Sequence, residues 1–181
     1  MKVTNVNEPE IIMVKIVLIG PESTGKSTLA AQLATHYKVN WVGEFAREYI
    51  EKLERPYIES DLLEIAKGQI ELEEQALRNN QSVVFFDTNL IVLKVWSLNA
   101  YKKCDDLILN GIDERHYDLY FLCGIDTPWE FDEQREHPHM RAHFYEVYKN
   151  ELMEMNADFV ELAGNETERL EKTIQILDEY M

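Results

Sequence analysis

Only two cysteines occur in the 181-residue chain, Cys104 and Cys123, and their spacing suits neither a disulfide framework nor a metal site. Two reduced thiols fit a cytoplasmic protein. No stretch of about 18 apolar residues is present, which excludes a membrane-spanning helix. Residues 1–10 lack the basic and apolar regions of a signal peptide and read as a disordered lead-in to one domain over 11–181. No run of Lys or Arg offsets the formal net charge of −16, so a phosphate backbone is repelled and nucleic-acid binding is not expected. Internal repeats and low-complexity linkers are also missing.

What remains is an ordinary globular composition, 45% hydrophobic and 29% charged. The β-branched run 11–19, bounded by Gly20, reads as a strand buried on both faces. Leu29, Leu33, Ala34 and Tyr37 then recur at helical spacing and predict a helix to about His36. A short strand follows at 40–42. Phe45, Tyr49, Ile50 and Leu53 mark a second helix ending before Pro56. Ser60 is the expected cap of a longer helix closing near Asn79-Asn80. Further strands are expected at 83–87, Leu119–Cys123 and Phe159–Leu162, with helices at 90–100, 104–115, around 144–155 and at 170–177. Residues 125–140, with two prolines and several charges, read as an exposed loop. Five short apolar strands alternating with helices predict an α/β fold, a parallel sheet covered on both faces. Ligands of such sheets bind beyond the carboxyl ends of the strands.

At the first of those ends stands Gly20-Pro21-Glu22-Ser23-Thr24-Gly25-Lys26-Ser27, matching G-x-x-x-x-G-K-[ST], with Thr28 next. Such a loop turns its backbone N–H groups inward at a helix N-terminus and cradles phosphates. Lys26 is expected to reach the β- and γ-phosphates of ATP, and the Ser27 hydroxyl to ligate Mg²⁺.

Asp87 ends a buried strand, where a carboxylate can hold Mg²⁺ or take a substrate proton; its plain alternative is a helix N-cap. Glu44 and Arg47 follow the second strand and could contact an acceptor, or simply open a solvated helix. Arg135 in the loop and Arg141 after it suit charge stabilisation during phosphoryl transfer, unless they only balance Glu133, Glu136 and Glu146. His137, His139 and His143 lie within one short segment but lack the carboxylate or cysteine partners of a metal site. Trp129, Trp96 and Tyr49 are candidates to stack a flat ring, although core packing is the common fate of a Trp in an apolar helix such as that of Trp96. No D-x-x-G follows the Asp87 strand and no N-K-x-D follows a later one, so a GTPase is not indicated. A small-molecule kinase is.

Four segments sharpen this reading: residues 20–28, Gly43-Glu44-Phe45-Ala46-Arg47-Glu48-Tyr49, Phe86-Asp87-Thr88-Asn89, and Tyr117-Asp118-Leu119-Tyr120 leading into Pro128-Trp129 and Arg135. Together they resemble the ribosylnicotinamide kinase domain of the NadR family, over residues 14–145. The resemblance implies a three-layer P-loop kinase fold with strand order 2-3-1-4-5 and a lid at about 125–141. It implies ATP-dependent phosphorylation of nicotinamide riboside at its 5′-hydroxyl, with Lys26 and Ser27 serving ATP and Mg²⁺. Asp87, and after it Glu44, is the expected base. Glu44, Arg47, Tyr49, Asn89 and Trp129 are expected on the acceptor side, and Arg135 and Arg141 in the lid. Longer members also carry a nucleotidyl-transferase domain, for which 181 residues leave no room, so that activity is not expected. The family segment more often reads D-T-D where this chain has Asn89, which leaves another vitamin or nucleoside such as thiamine open as acceptor. A nucleoside-monophosphate kinase, and an ATP-responsive regulator without turnover, are the remaining alternatives.

Overall fold

Strand β1, Val14–Ile19, is enclosed on both faces, its last four residues fully buried. The structure, a computed structural model, describes residues 13–79 and 81–181. The expected lead-in at 1–10, the start of the first strand at 11–12 and Asn80 lie outside the described residues. β1 pairs in parallel with β3, Val83–Asp87, on one side and with β4, Leu119–Cys123, on the other. β2, Trp41–Val42, extends the sheet beyond β3, and β5, Phe159–Leu162, extends it beyond β4. The order is therefore 2-3-1-4-5, all parallel, as the resemblance implied.

Alternation along the strands divides the core into two layers. Ile16, Leu18, Phe85 and Phe121 face α1, Lys26–Tyr37, and α7, Glu166–Tyr180. Val17, Ile19, Phe86 and Leu122 face α4, Leu90–Tyr101, and α6, Arg141–Glu154. A third apolar cluster joins α4 to α2, Phe45–Glu51, to α3, Glu59–Leu77, and to α5, Asp106–Glu114. Cys104 and Cys123 are both free thiols. Among the described residues, no helix is long and apolar enough to cross a membrane.

The starts of α3 and α7 differ from expectation, and both differences have a local cause. α3 begins at Glu59, and its open end is closed by Asp61, which reaches back to accept the Ile58 N–H at 2.7 Å; Ser60 is not the cap. α7 begins at Glu166 because Asn165 and Glu168 form a reciprocal capping box.

The α2–α3 contact is tight at Gly68. A Cβ there would stand 2.1 Å from the Phe45 ring, so any side chain forces the two helices apart. Gly68→Ala is expected to lower unfolding free energy by about 1–3 kcal/mol, read from a shift of the chemical denaturation midpoint.

Candidate active site

The phosphate loop leaves β1 at Gly20, whose φ is 142°, and an added Cβ would lie 2.7 Å from the carbonyl oxygen of Cys123. Glycine is required here because β4 passes against the loop. Ser23 (φ 56°) and Gly25 (φ 77°) take left-handed conformations, and Gly25 occupies the N-cap position of α1 without any side-chain cap. The uncapped helix end and the turned-in backbone form a site for an anion. Lys26 Nζ is folded over its own loop, donating to the carbonyls of Gly20 at 3.0 Å and Pro21 at 2.8 Å. From behind, the buried Arg169 of α7 donates to the carbonyls of Thr24 at 2.8 Å, Gly124 at 3.1 Å and Gly164 at 2.8 Å, and pairs with Asp126. It ties the loop to the ends of β4 and β5.

Asp87 sits opposite Leu18 in the β1–β3 register, beside the phosphate loop. The residue is 2% exposed, and its Oδ1 is buried without a hydrogen-bond partner. Burial raises its pKa, while Lys26, the adjacent Ser27 hydroxyl and Arg47 act in the opposite direction. An orphaned carboxylate oxygen next to a hydroxyl at a phosphate site is a hard-oxygen pair that fits Mg²⁺, which takes few protein ligands. Thr88, next along, holds φ at 70°, an uncommon conformation for a β-branched residue.

Glu44 occupies the N-cap position of α2, yet its side chain makes no capping bond. Its carboxyl is pushed above the usual range by burial first and by the Asp87 charge second, against Lys26 and Arg47. Glu44, not Asp87, lines the cleft that opens from the phosphate loop.

The loop between β4 and α6 closes over this region. Thr127 donates to the Ser23 carbonyl at 3.0 Å, while the Ser23 hydroxyl accepts the Glu130 N–H at 2.9 Å and Arg135 Nη1 at 3.3 Å. The Glu22 carboxylate accepts the N–H groups of Glu136 and His137 at 3.3 and 3.2 Å. Across the cleft, Arg47 pairs with Asp132 at 2.7 Å and the Tyr57 hydroxyl donates to Glu136 at 2.9 Å. Tyr57 also meets Trp96 edge to face, centroids 4.7 Å apart, and accepts the indole N–H at 3.0 Å. The cleft measures about 720 Å³, the size of a small-ligand site. All of residues 20–28 line it, with Glu44, Arg47, Tyr57, Trp96 and Arg135.

An AAA domain family profile matches residues 15–169. The chain belongs to this family. The chain is 26% identical over 175 residues to the trifunctional NAD biosynthesis/regulator protein NadR of Escherichia coli K12, covering 92% of this chain and 42% of that protein. The NadR of Salmonella typhimurium LT2 is equally similar, with the same coverage. The crystal structure of a NadR protein in complex with NR superposes with a TM-score of 0.82 at 25% identity, covering 93% of this chain and 50% of that one. The chain thus spans about half the length of the NadR proteins it matches. Thymidylate kinase from Candida albicans, at 15% identity and a TM-score of 0.67 over 93% of this chain and 92% of its own, shares the fold. The likeness to NadR read from the four sequence segments is borne out, and this AAA-domain chain has the P-loop kinase fold.

Not every candidate side chain reaches the cleft of this family member. Tyr49 points to α3, donating to Asp61 Oδ1 at 3.0 Å, and is not on the cleft lining. Asn89 is 3% exposed and caps α4, its Oδ1 accepting the Ile91 N–H at 3.1 Å. It therefore takes the capping role set as the alternative for Asp87. Trp129 lies outside the lining, with the Arg141 guanidinium 6.0 Å from its ring centre. Arg141 itself braces the loop, donating to the carbonyls of Thr127 and Ser23, both at 2.9 Å, and does not line the cleft. His137, His139 and His143 form no metal-binding group among the described residues. Sequence reasoning missed Tyr57, Asp132 and Arg169. Tyr57 follows a proline in irregular chain, and Arg169 sits in an ordinary amphipathic helix, so neither carried a local signal. Asn89 did carry one, an Asn directly ahead of an apolar helix.

Proposed function

We propose that this chain transfers the γ-phosphoryl group of ATP to the primary hydroxyl of a small, positively charged nucleoside-like alcohol, with nicotinamide riboside as the first choice. The observation that carries the reading is one continuous cleft running from the phosphate loop to Glu44 and the Tyr57–Trp96 pair. Among the charged residues of its walls carboxylates outnumber cations, Glu22, Glu44, Glu130, Glu133 and Glu136 among them, which favours a cationic acceptor such as a pyridinium nucleoside. Arg47, the candidate anion site for a monophosphate acceptor, is engaged by Asp132, so a nucleoside suits the cleft better than a nucleotide. The NadR structure with bound NR supports the same choice.

In this reading the domain runs over 11–181, with residues 125–141 as its lid. The backbone of residues 20–28 and Lys26 hold the nucleotide phosphates. Ser27 and Asp87 would hold Mg²⁺, which supplies charge neutralisation at the phosphates. Glu44 accepts the hydroxyl proton as the acceptor oxygen bonds to the γ-phosphorus and the bond from that phosphorus to the β,γ-bridging oxygen breaks, leaving ADP. Arg135 faces the transferring group from the lid. Arg141 keeps the lid joined to the phosphate loop.

The direct test is ADP release from Mg-ATP with nicotinamide riboside beside thiamine, common nucleosides and mononucleotides. Turnover with nicotinamide riboside and little with the neutral nucleosides is expected. Turnover with thiamine alone would keep the kinase and move the acceptor, a preference for mononucleotides would overturn the nucleoside reading, and ATP binding without product across the panel would indicate a regulator.

A further inference from the structure

An N-cap Ser, Thr, Asp or Asn ordinarily turns its side chain back to accept the N–H of the second or third helical residue. Glu44 holds that position in α2 with extended backbone, φ −74° and ψ 106°, and makes no such bond. The Phe45 N–H, the first of the helix, donates to Oε1 of Gln69, 2.9 Å away on α3. Gln69 is 3% exposed. Its amide nitrogen faces Glu73 Oε1 at 3.5 Å, and Glu73 Oε2 accepts the Tyr117 hydroxyl at 2.7 Å with Arg115 Nε at 3.7 Å. Glu73, itself 2% exposed, accepts but cannot donate when ionised, so it orients the Gln69 amide with its oxygen toward α2. Gly68, the preceding residue, lets the Phe45 ring settle directly on α3. This polar chain runs from the start of β4 to the end of α2 that carries Glu44.

We propose that Gln69 is a positioning residue for phosphoryl transfer: by capping α2 from a neighbouring helix, it frees the Glu44 carboxylate to face the cleft. The proposal rests on the reading of Glu44 as the proton acceptor. Without Gln69 the Phe45 N–H is left open at a helix N-terminus, which attracts a carboxylate, and Glu44 is the carboxylate at that end. A base drawn back by about an ångström loses on the order of 10- to 100-fold in rate.

A double-mutant cycle tests this, with single-turnover transfer from Mg-ATP to nicotinamide riboside measured under enzyme excess. Gln69→Met is expected to slow transfer about 10- to 100-fold with the Kd for ATP unchanged. Gln69→Glu keeps an oxygen for the Phe45 N–H and, when protonated, a donor to Glu73, and is expected to recover most of the rate. The deciding comparison is Gln69→Met in the Glu44→Gln background, where no further loss is expected. An equal loss in both backgrounds, or a lowered melting temperature with transfer intact, would overturn the role of Gln69. Near-wild-type transfer in Glu44→Gln alone would instead overturn the reading of Glu44 and the proposal with it. If Gln69→Met does not fold, Gln69→Asn, one methylene shorter, carries the same comparison.

Discussion

Glu44→Gln is expected to lower kcat by about 10²–10⁴-fold while ATP binding stays near wild type, because the substitution removes the proposed proton acceptor and leaves the phosphate loop untouched. Glu44 lines the cleft, and its carboxyl is raised above the usual range by burial and by Asp87. In the proposed role of base, Glu44 works only when ionised. Wild-type turnover should therefore fall on acidification at a higher pH than an exposed glutamate near 4.3 would give, and Glu44→Gln should lose that limb. Asp87→Asn gives the contrast. It should also lose turnover, but with a raised requirement for Mg²⁺, since Asp87 is buried beside Ser27 and does not line the cleft. Initial rates over pH and Mg²⁺ concentration separate the two carboxylates. A Glu44→Gln variant that turns over normally would return the proton to Asp87.

How far the site could be read from the chain depended on how local each signal was. The phosphate loop is contiguous, and its glycines, lysine and serine stand where the motif puts them. β4 was legible because a buried parallel strand is a short uninterrupted apolar run; it matches residue for residue, as does the edge strand β5 despite its exposed Glu161. The sheet order followed from the family resemblance, since strand pattern alone does not rank neighbours. Side-chain direction was the weak point. Tyr49 shares a helix with Arg47 but projects toward Asp61 on α3, while Arg47 projects into the cleft. Gln69 and Arg169 act through backbone atoms distant in sequence, which no spacing rule reveals.

The two lid arginines, equivalent by sequence, should behave differently. Arg135 lines the cleft, and its guanidinium is held by the Glu130 carbonyl at 2.6 Å and the Ser23 hydroxyl at 3.3 Å, close to where phosphates would lie on the loop. A cation so placed stabilises the charge that spreads over the equatorial oxygens during transfer, a role worth on the order of 10³-fold or more. Arg135→Ala is accordingly expected to lower kcat by about 10³-fold, with the melting temperature nearly unchanged, because among the described residues the side chain makes only these two hydrogen bonds, near the surface. Arg141 donates to Thr127 and Ser23 from a site where burial and the charges of Arg169 and Arg135 lower its pKa. Removing it strips the brace between lid and phosphate loop, so Arg141→Ala should show mainly as a lower melting temperature and a higher KM for ATP. Arg135→Lys decides whether charge alone suffices: a planar fork that must bridge Glu130, Ser23 and a phosphate cannot be replaced by one ammonium, and only partial recovery is expected. Full recovery would reduce Arg135 to a point charge, and an Arg135→Ala enzyme with unaltered kcat would remove it from the mechanism.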